Sequence, residues 1–217
     1  MYNLLLKELK LGVSPIFYLL PILTGALMLI PGWLYFIVLL YFCWITIPNV
    51  CATYKAQNDL LFSFMLPVTR KDIVKAKIAV IVILELLHIV TAVIFGIIHT
   101  QLYPVFNYFF FAPTIGFWGL SFIMLAIFNL FFISMYFKTA YKYGLPTIVA
   151  VTAAMLFATG AEWLGIQNAK VFDLFKGSGA ENLAIQLPIL FTGMLIFVVF
   201  TFIAYVIAIK QFKKVTI

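Results

Sequence analysis

Forty-four consecutive residues between Lys10 and Lys55 carry no charge. A helix bathed in water needs a polar face at every turn, so a run of this kind cannot belong to one. The pattern repeats. Sixty residues separate Lys77 from Lys138, interrupted by Glu85, His88 and His99 alone; 19 separate Lys142 from Glu162, and 28 separate Glu181 from Lys210. A bilayer core about 30 Å thick takes about 20 helical residues at roughly 1.5 Å each. The first gap, split by Pro31-Gly32, has room for two spans. The second, split by the polar stretch His99 to Asn107, has room for two more, and the last two gaps for one each. Six spans are expected, at about 13–30, 33–51, 78–98, 114–137, 146–162 and 187–209.

Continuous apolar runs read as helices, because backbone groups in lipid must be paired within their own segment, and they lack the alternation of a membrane barrel. Composition agrees: 65% of the chain is apolar and 10% charged, where a soluble domain has about 45–50% and 25%. The fold class expected is an all-α integral membrane protein, a single domain over 1–217.

Lysine and arginine orient the bundle. In the six-span arrangement Lys7, Lys10, Lys55, Arg70, Lys71, Lys75, Lys77, Lys138, Lys142, Lys210, Lys213 and Lys214 share one side, and only Lys170 and Lys176 fall on the other. Both termini and the 52–77 and 138–145 segments are therefore expected in the cytoplasm. The net charge of +7 is accounted for by this bias and by attraction to anionic lipid; no nucleic-acid partner is expected. Residues 1–12 read as a short amphipathic helix on the inner surface, ended by Gly12. They are not expected to be a cleaved signal, since Pro15 and Pro21 interrupt the following apolar stretch and no cleavage site stands at the right distance.

The chemistry inventory is sparse. There is no phosphate-binding G-x-x-x-x-G-K-[ST] loop, no H-E-x-x-H and no G-x-S-x-G. His88 and His99 are roughly 16 Å apart along a helix, too far to share a metal. Cys43 and Cys51 are two helical turns apart and read as core residues. No catalytic residue, no metal and no cofactor bound by this chain are expected.

The 52–77 segment is the informative one. It divides into a helix expected over about 54–65, with Leu61, Phe64 and Met65 on one face, and a second starting at Thr69, an N-cap with Asp72 at the third helical position; Pro67 breaks the chain between them. Asn58-Asp59 followed by Leu66-Pro67-Val68-Thr69-Arg70-Lys71-Asp72-Ile73-Val74-Lys75-Ala76-Lys77 resembles the loop after the second span in ABC-2 type permeases of bacterial ABC exporters. The likeness is close over about 20 residues; elsewhere it is one of span count and length. It implies a permease subunit that pairs with a second one, the same or homologous, in the cell membrane. Each docks on a cytoplasmic ATPase subunit that carries the ATP and Mg. It also implies that Asp59, Phe62, Leu66, Pro67, Arg70, Lys71 and Asp72 lie at or near the ATPase contact. Small permeases of this look export modulins, bacteriocins or drugs, so an amphipathic or hydrophobic cargo is expected. The alternative for this loop is a lipid-surface segment with basic anchors.

Polar residues within spans give further candidates. Glu85 and His88, at i and i+3, share a face and are within reach of each other. They either line a substrate or proton path or form a hydrogen-bonded structural pair. Asn129 reads as interhelical glue, with a place on the path as the alternative. Ala150, Ala154 and Ala158 form a small-residue stripe that suits close helix packing, inside the subunit or between two subunits. Residues 163–186, with Trp163, Phe172 and Phe175 and ending at Gly177-Ser-Gly179, are expected at the outer surface. Two other functions compete: a proton-coupled secondary transporter using Glu85 and His88, and a membrane immunity or scaffold protein that transports nothing.

Overall fold

The computed structural model describes residues 2–104, 108–175 and 182–215. Every element among them is helical. Helix α1 (Tyr2–Lys7) runs on through a π-helical turn, Glu8–Gly12, and stops at Gly12 as the sequence leads one to expect. A bend of 70° separates Asn3–Gly12 from the next helical piece, Ile16–Leu29, which is α2 (Ile16–Gly25) with a short 3-10 extension, Ala26–Leu29. Next come α3 (Phe36–Tyr41) and α4 (Ile47–Ala56), joined by a π-helical turn over Phe42–Thr46 into one segment, Phe36–Ala56. Then follow α5 (Asp59–Met65), α6 (Arg70–Leu102), α7 (Ile115–Lys138), α8 (Gly144–Gln167), α9 (Ala169–Phe175) and α10 (Leu183–Phe212).

Five of these helices are long and apolar enough to cross a membrane: Phe36–Ala56, Arg70–Leu102, Ile115–Lys138, Gly144–Gln167 and Leu183–Phe212. They coincide with the last five expected spans; α6, α8 and α10 overrun theirs at both ends, whereas Phe36–Ala56 and α7 begin slightly later than expected and end later. The count reaches six only if Asn3–Gly12 and Ile16–Leu29 together are one bent span. The first expected span, 13–30, is thus shorter than anticipated. Pro15 precedes it, Pro21 sits inside it and Pro31 follows, and proline limits how far a helix propagates; what remains covers only about 20 Å.

The core runs between the Phe36–Ala56 segment, α6, α7, α8 and α10. The most extensive packing is α7 on α10, followed by α7 on α8. Glycine permits the first contact: a side chain at Gly193 would overlap the backbone of Gly119, and one at Gly119 would overlap the backbone of Ile189 and Leu190. Ala150, Ala154 and Ala158 are all buried within the chain on α8. An aromatic stack follows α7 toward its C-terminus. Phe128, Phe132 and Tyr136, four residues apart, have successive ring centroids 5.3 Å apart, and Tyr141 and Phe212 continue the line at 5.0 and 5.7 Å. Cys43 and Cys51 are buried and unbridged.

At the opposite end of the bundle the segment after α8 folds back on it. Glu162 Oε2 accepts from the Phe111 amide at 3.1 Å. Gln186 donates to the Leu174 carbonyl at 2.6 Å, and the Phe175 ring sits 4.4 Å from that of Phe111. Trp163 is exposed and Phe175 buried. The Gly177-Ser-Gly179 end of this loop lies outside the described residues.

Candidate functional site

The sequence between the Phe36–Ala56 segment and α6 breaks where its backbone demands it. The helix expected over 54–65 is interrupted: α4 ends at Ala56, and Asn58 adopts a left-handed conformation with φ 50° before α5 begins. Asparagine tolerates that region better than most residues. The Leu61–Phe64–Met65 face is also divided. Leu61 and Met65 are exposed, while Phe64 turns onto Phe212 with ring centroids 5.8 Å apart. The second start is as expected. Thr69 Oγ1 accepts from the Asp72 amide at 3.2 Å and donates to Asp72 Oδ2 at 2.6 Å. From there α6 continues without interruption for 33 residues, about 50 Å.

Beneath α5 lies a buried ionic quartet. Lys77 is 1% exposed, Glu8 1% and Asp59 4%. Lys77 Nζ donates to Asp59 Oδ2 at 2.6 Å and to Glu8 Oε2 at 3.0 Å. Lys7 Nζ donates to Asp59 Oδ1 at 2.5 Å, to Glu8 Oε1 at 3.1 Å and to Ser63 Oγ at 3.3 Å. Two cations and two carboxylates balance, which is the condition under which charges are tolerated away from water. The Tyr54 ring closes one side, its centroid 3.4 Å from Lys77 Nζ, and the Tyr141 ring lies 5.2 Å away. Burial by itself would raise the Asp59 carboxyl, but Lys77 and Lys7 outweigh it and hold the group below the ordinary carboxylate range. For Lys7, burial pulls downward, and its bonds to Asp59 and Glu8 more than offset it, so the ammonium is held above its ordinary value.

The quartet joins five parts of the chain: the N-terminal helix, the end of α4, α5, the foot of α6, and the 138–145 turn. That turn holds Ala140 and Tyr141 at φ 52° and 68°. Arg70 adds a sixth. Its Nη1 donates to the carbonyls of Phe212, Lys213 and Val215 at 3.2, 2.9 and 3.0 Å, at the end of α10. Its guanidinium also lies 5.0 Å from the Phe64 ring.

The residues singled out in this loop therefore separate. Asp59 faces inward, in the quartet. Arg70 faces α10. Asp72 is committed to Thr69, and Leu66 is half-buried. Phe62, Pro67 and Lys71 are exposed, and with them Leu61 and Met65, at 50%, 49% and 82% exposure for Phe62, Leu61 and Met65. Sequence reasoning missed the quartet. Lys7 and Lys77 read as surface anchors, and Glu8 drew no attention; the signal available was opposite charges clustered at the ends of helices.

The polar residues deeper in the bundle do not form the expected pair. Glu85 Oε2 accepts from Asn129 Nδ2 at 2.9 Å, and Asn129 Nδ2 also donates to Thr201 at 3.2 Å, so this trio ties α6, α7 and α10 together. His88 instead bonds through Nδ1 to the Leu84 carbonyl of its own helix at 3.0 Å and packs against Phe42, ring centroids 4.9 Å apart. The i,i+3 spacing brings the two side chains to one face, but each is captured by a different neighbour. Near the C-terminal end of α6, His99 Nε2 meets the hydroxyls of Tyr35 and Tyr108 at 3.1 and 2.9 Å.

Long apolar helices packed around a few buried polar groups define a multi-pass helical membrane protein. Its family can be stated. The chain belongs to the ABC-2 family transporter proteins, whose family model matches residues 3–213. It is accordingly the permease component of an ABC transporter, a transport subunit and not itself the catalytic one. The family associates with an ABC ATPase and often with a second permease. Neither a curated protein nor a solved structure matches the chain.

Proposed function

We propose that this chain is the permease half of a bacterial ABC exporter, with six spans and both termini in the cytoplasm. It would move an amphipathic or hydrophobic peptide or drug-like cargo outward on ATP hydrolysed by a separate subunit. The observation that carries this reading is the knob formed by Leu61, Phe62 and Met65. Three large apolar side chains stand exposed on a seven-residue helix whose underside is fixed by four charges. A lipid-surface segment has no need of such an anchor, whereas a docking element that receives a push does. Pro67 and Lys71 flank the knob, and α6 leads from it into the bundle.

The orientation rests on the lysine bias and on the way Lys7, Lys77, Tyr141, Arg70 and the end of α10 converge at one end. Ile16–Leu29, entered through the 70° bend from Asn3–Gly12 at the inner surface, supplies the sixth crossing. The bonding of Glu85 to Asn129 supports a structural role for that carboxylate over a proton path.

The test is co-purification. The chain expressed with its ATPase should retain that subunit, and Phe62→Asp combined with Met65→Asp should release it and abolish ATP-driven transport without lowering thermal stability. Undiminished ATPase retention in that double variant, or transport that persists without ATP, overturns the reading.

A further inference from the structure

We propose that the groove between α6 and α10 at the lysine-rich end of the bundle binds an anionic phospholipid, its acyl chain in the groove and its phosphate on Lys75. The groove encloses about 610 Å³. Ile78 and Phe197 form its buried floor; Val82, Ile83, Val198 and Phe202 line its sides. From Lys75 to Ile83 it follows α6 for roughly 12 Å. Lys75 and Tyr205 are the lining residues nearest the lysine-rich end of their respective helices.

The recess is built into the fold. Both α6 and α10 rest on α7, and the Asn129 bonds to Glu85 and Thr201 fix the distance between them. Thr201 lines the groove, so the same contact that ties the helices together forms part of the wall.

Among the described residues the lysine charge above the groove is free of ion pairs, although Asp72, three residues before Lys75, feels it. Of the cations near the start of α6, Arg70 is spent on the carbonyls closing α10 and Lys77 on Asp59 and Glu8. Among the described residues, Lys71 and Lys75 form no ion pair; they are exposed and one turn apart. The adjacent acid, Asp72, is held by Thr69. Lysine stems lie along apolar surface and place the ammonium at headgroup level, where it attracts anionic lipid. A choline headgroup offers a second cation instead. A second copy of this chain fits poorly here, because a two-fold contact presents the same patch from both sides and would bring like charges together.

The chain is to be reconstituted in phosphatidylcholine vesicles containing a minor fraction of phosphatidylglycerol with a photoactivatable acyl chain. Labelling is expected within 75–83 and 197–205, competed by unlabelled phosphatidylglycerol and not by phosphatidylcholine. Lys75→Gln should cut it about fivefold; Lys55→Gln, outside the groove, should leave it unchanged; Ala79→Trp should fill the recess and remove it. Equal competition by both lipids, or undiminished labelling in Lys75→Gln, overturns the proposal. So does disulfide linkage of two protomers through Val198→Cys in place of labelling, which would assign the groove to a subunit contact.

Discussion

Lys77 Nζ sits 2.6 Å from Asp59 Oδ2, with both side chains closed to solvent. One of these residues is in the foot of the longest helix and the other opens α5, so their bond fixes the exposed Leu61–Phe62–Met65 knob to the element that enters the bundle. A rigid link at this point transmits a displacement of α5 to α6 where a flexible loop would absorb it.

Removing one partner strands a buried charge. Lys77→Met leaves Asp59 and Glu8 sharing Lys7 alone and should cost about 3–5 kcal/mol. Adding Asp59→Leu restores balance, since Lys7 and Glu8 remain 3.1 Å apart, and should recover most of that loss. Thermal unfolding of the two variants in detergent micelles reads the difference; equal destabilisation by both would mean that the charges act independently.

The same quartet sets a pH profile. The Asp59 carboxyl is held below its ordinary range, so its contribution is present above the unfolded value of about 4 and is lost as pH falls through the folded value. Lys7 is held above 10.5, so its contribution is present below that value and is lost as pH rises through the folded one. The quartet's contribution, read as the difference in unfolding midpoint between the wild type and Asp59→Asn at each pH, should be level between about 5 and 10 and shrink on either side.

Arg70 closes the end of α10 through three carbonyls. A charged hydrogen-bond donor is worth about 1.5–3 kcal/mol when buried, and the half-exposed setting here brings the expected cost of Arg70→Ala to about 1–2 kcal/mol. The loss should be local. Amide hydrogen exchange should accelerate over residues 205–215 and remain unchanged in α7. Arg70→Lys should restore only part of the protection, because the ammonium keeps the charge but gives up the planar guanidinium's contact with the Phe64 ring.

How much of this was legible beforehand follows from the range of the interactions. Gaps between charges locate the spans because the bilayer constrains a contiguous stretch of about 20 residues, and the Thr69–Asp72 cap is legible because its partners are three residues apart. Lys77 meets Asp59 across 18 residues and Glu8 across 69, and a charge does not announce which opposite charge it will meet. A lysine at the foot of a span reads as an anchor for the same reason. Glu85 and His88 misled in the other direction: their spacing is local and right for contact, but Asn129 on α7 bonds Glu85, while His88 bonds the Leu84 carbonyl of its own helix and packs on Phe42. The proline-limited first span shows the remaining limit, since apolar length on paper does not tell how much of a run stays helical.

Small residues acted in two ways, and only one left a pattern along the chain. Ala150, Ala154 and Ala158 repeat every fourth residue on one helix, whereas Gly119 and Gly193 stand 74 residues apart and face each other across the α7–α10 crossing. Gly193→Ala would set a methyl against backbone, which cannot move aside as a side chain does. It should cost about 1–3 kcal/mol or more and separate the two helices that pack most extensively. Gly160 provides the control. It lies within α8, a Cβ there meets nothing within 4 Å, and Gly160→Ala should stabilise by about 0.5–1 kcal/mol through helix propensity alone. Thermal unfolding of the two single variants should therefore move in opposite directions, and a shift of the same sign in both would show that α7 and α10 are not held at backbone contact.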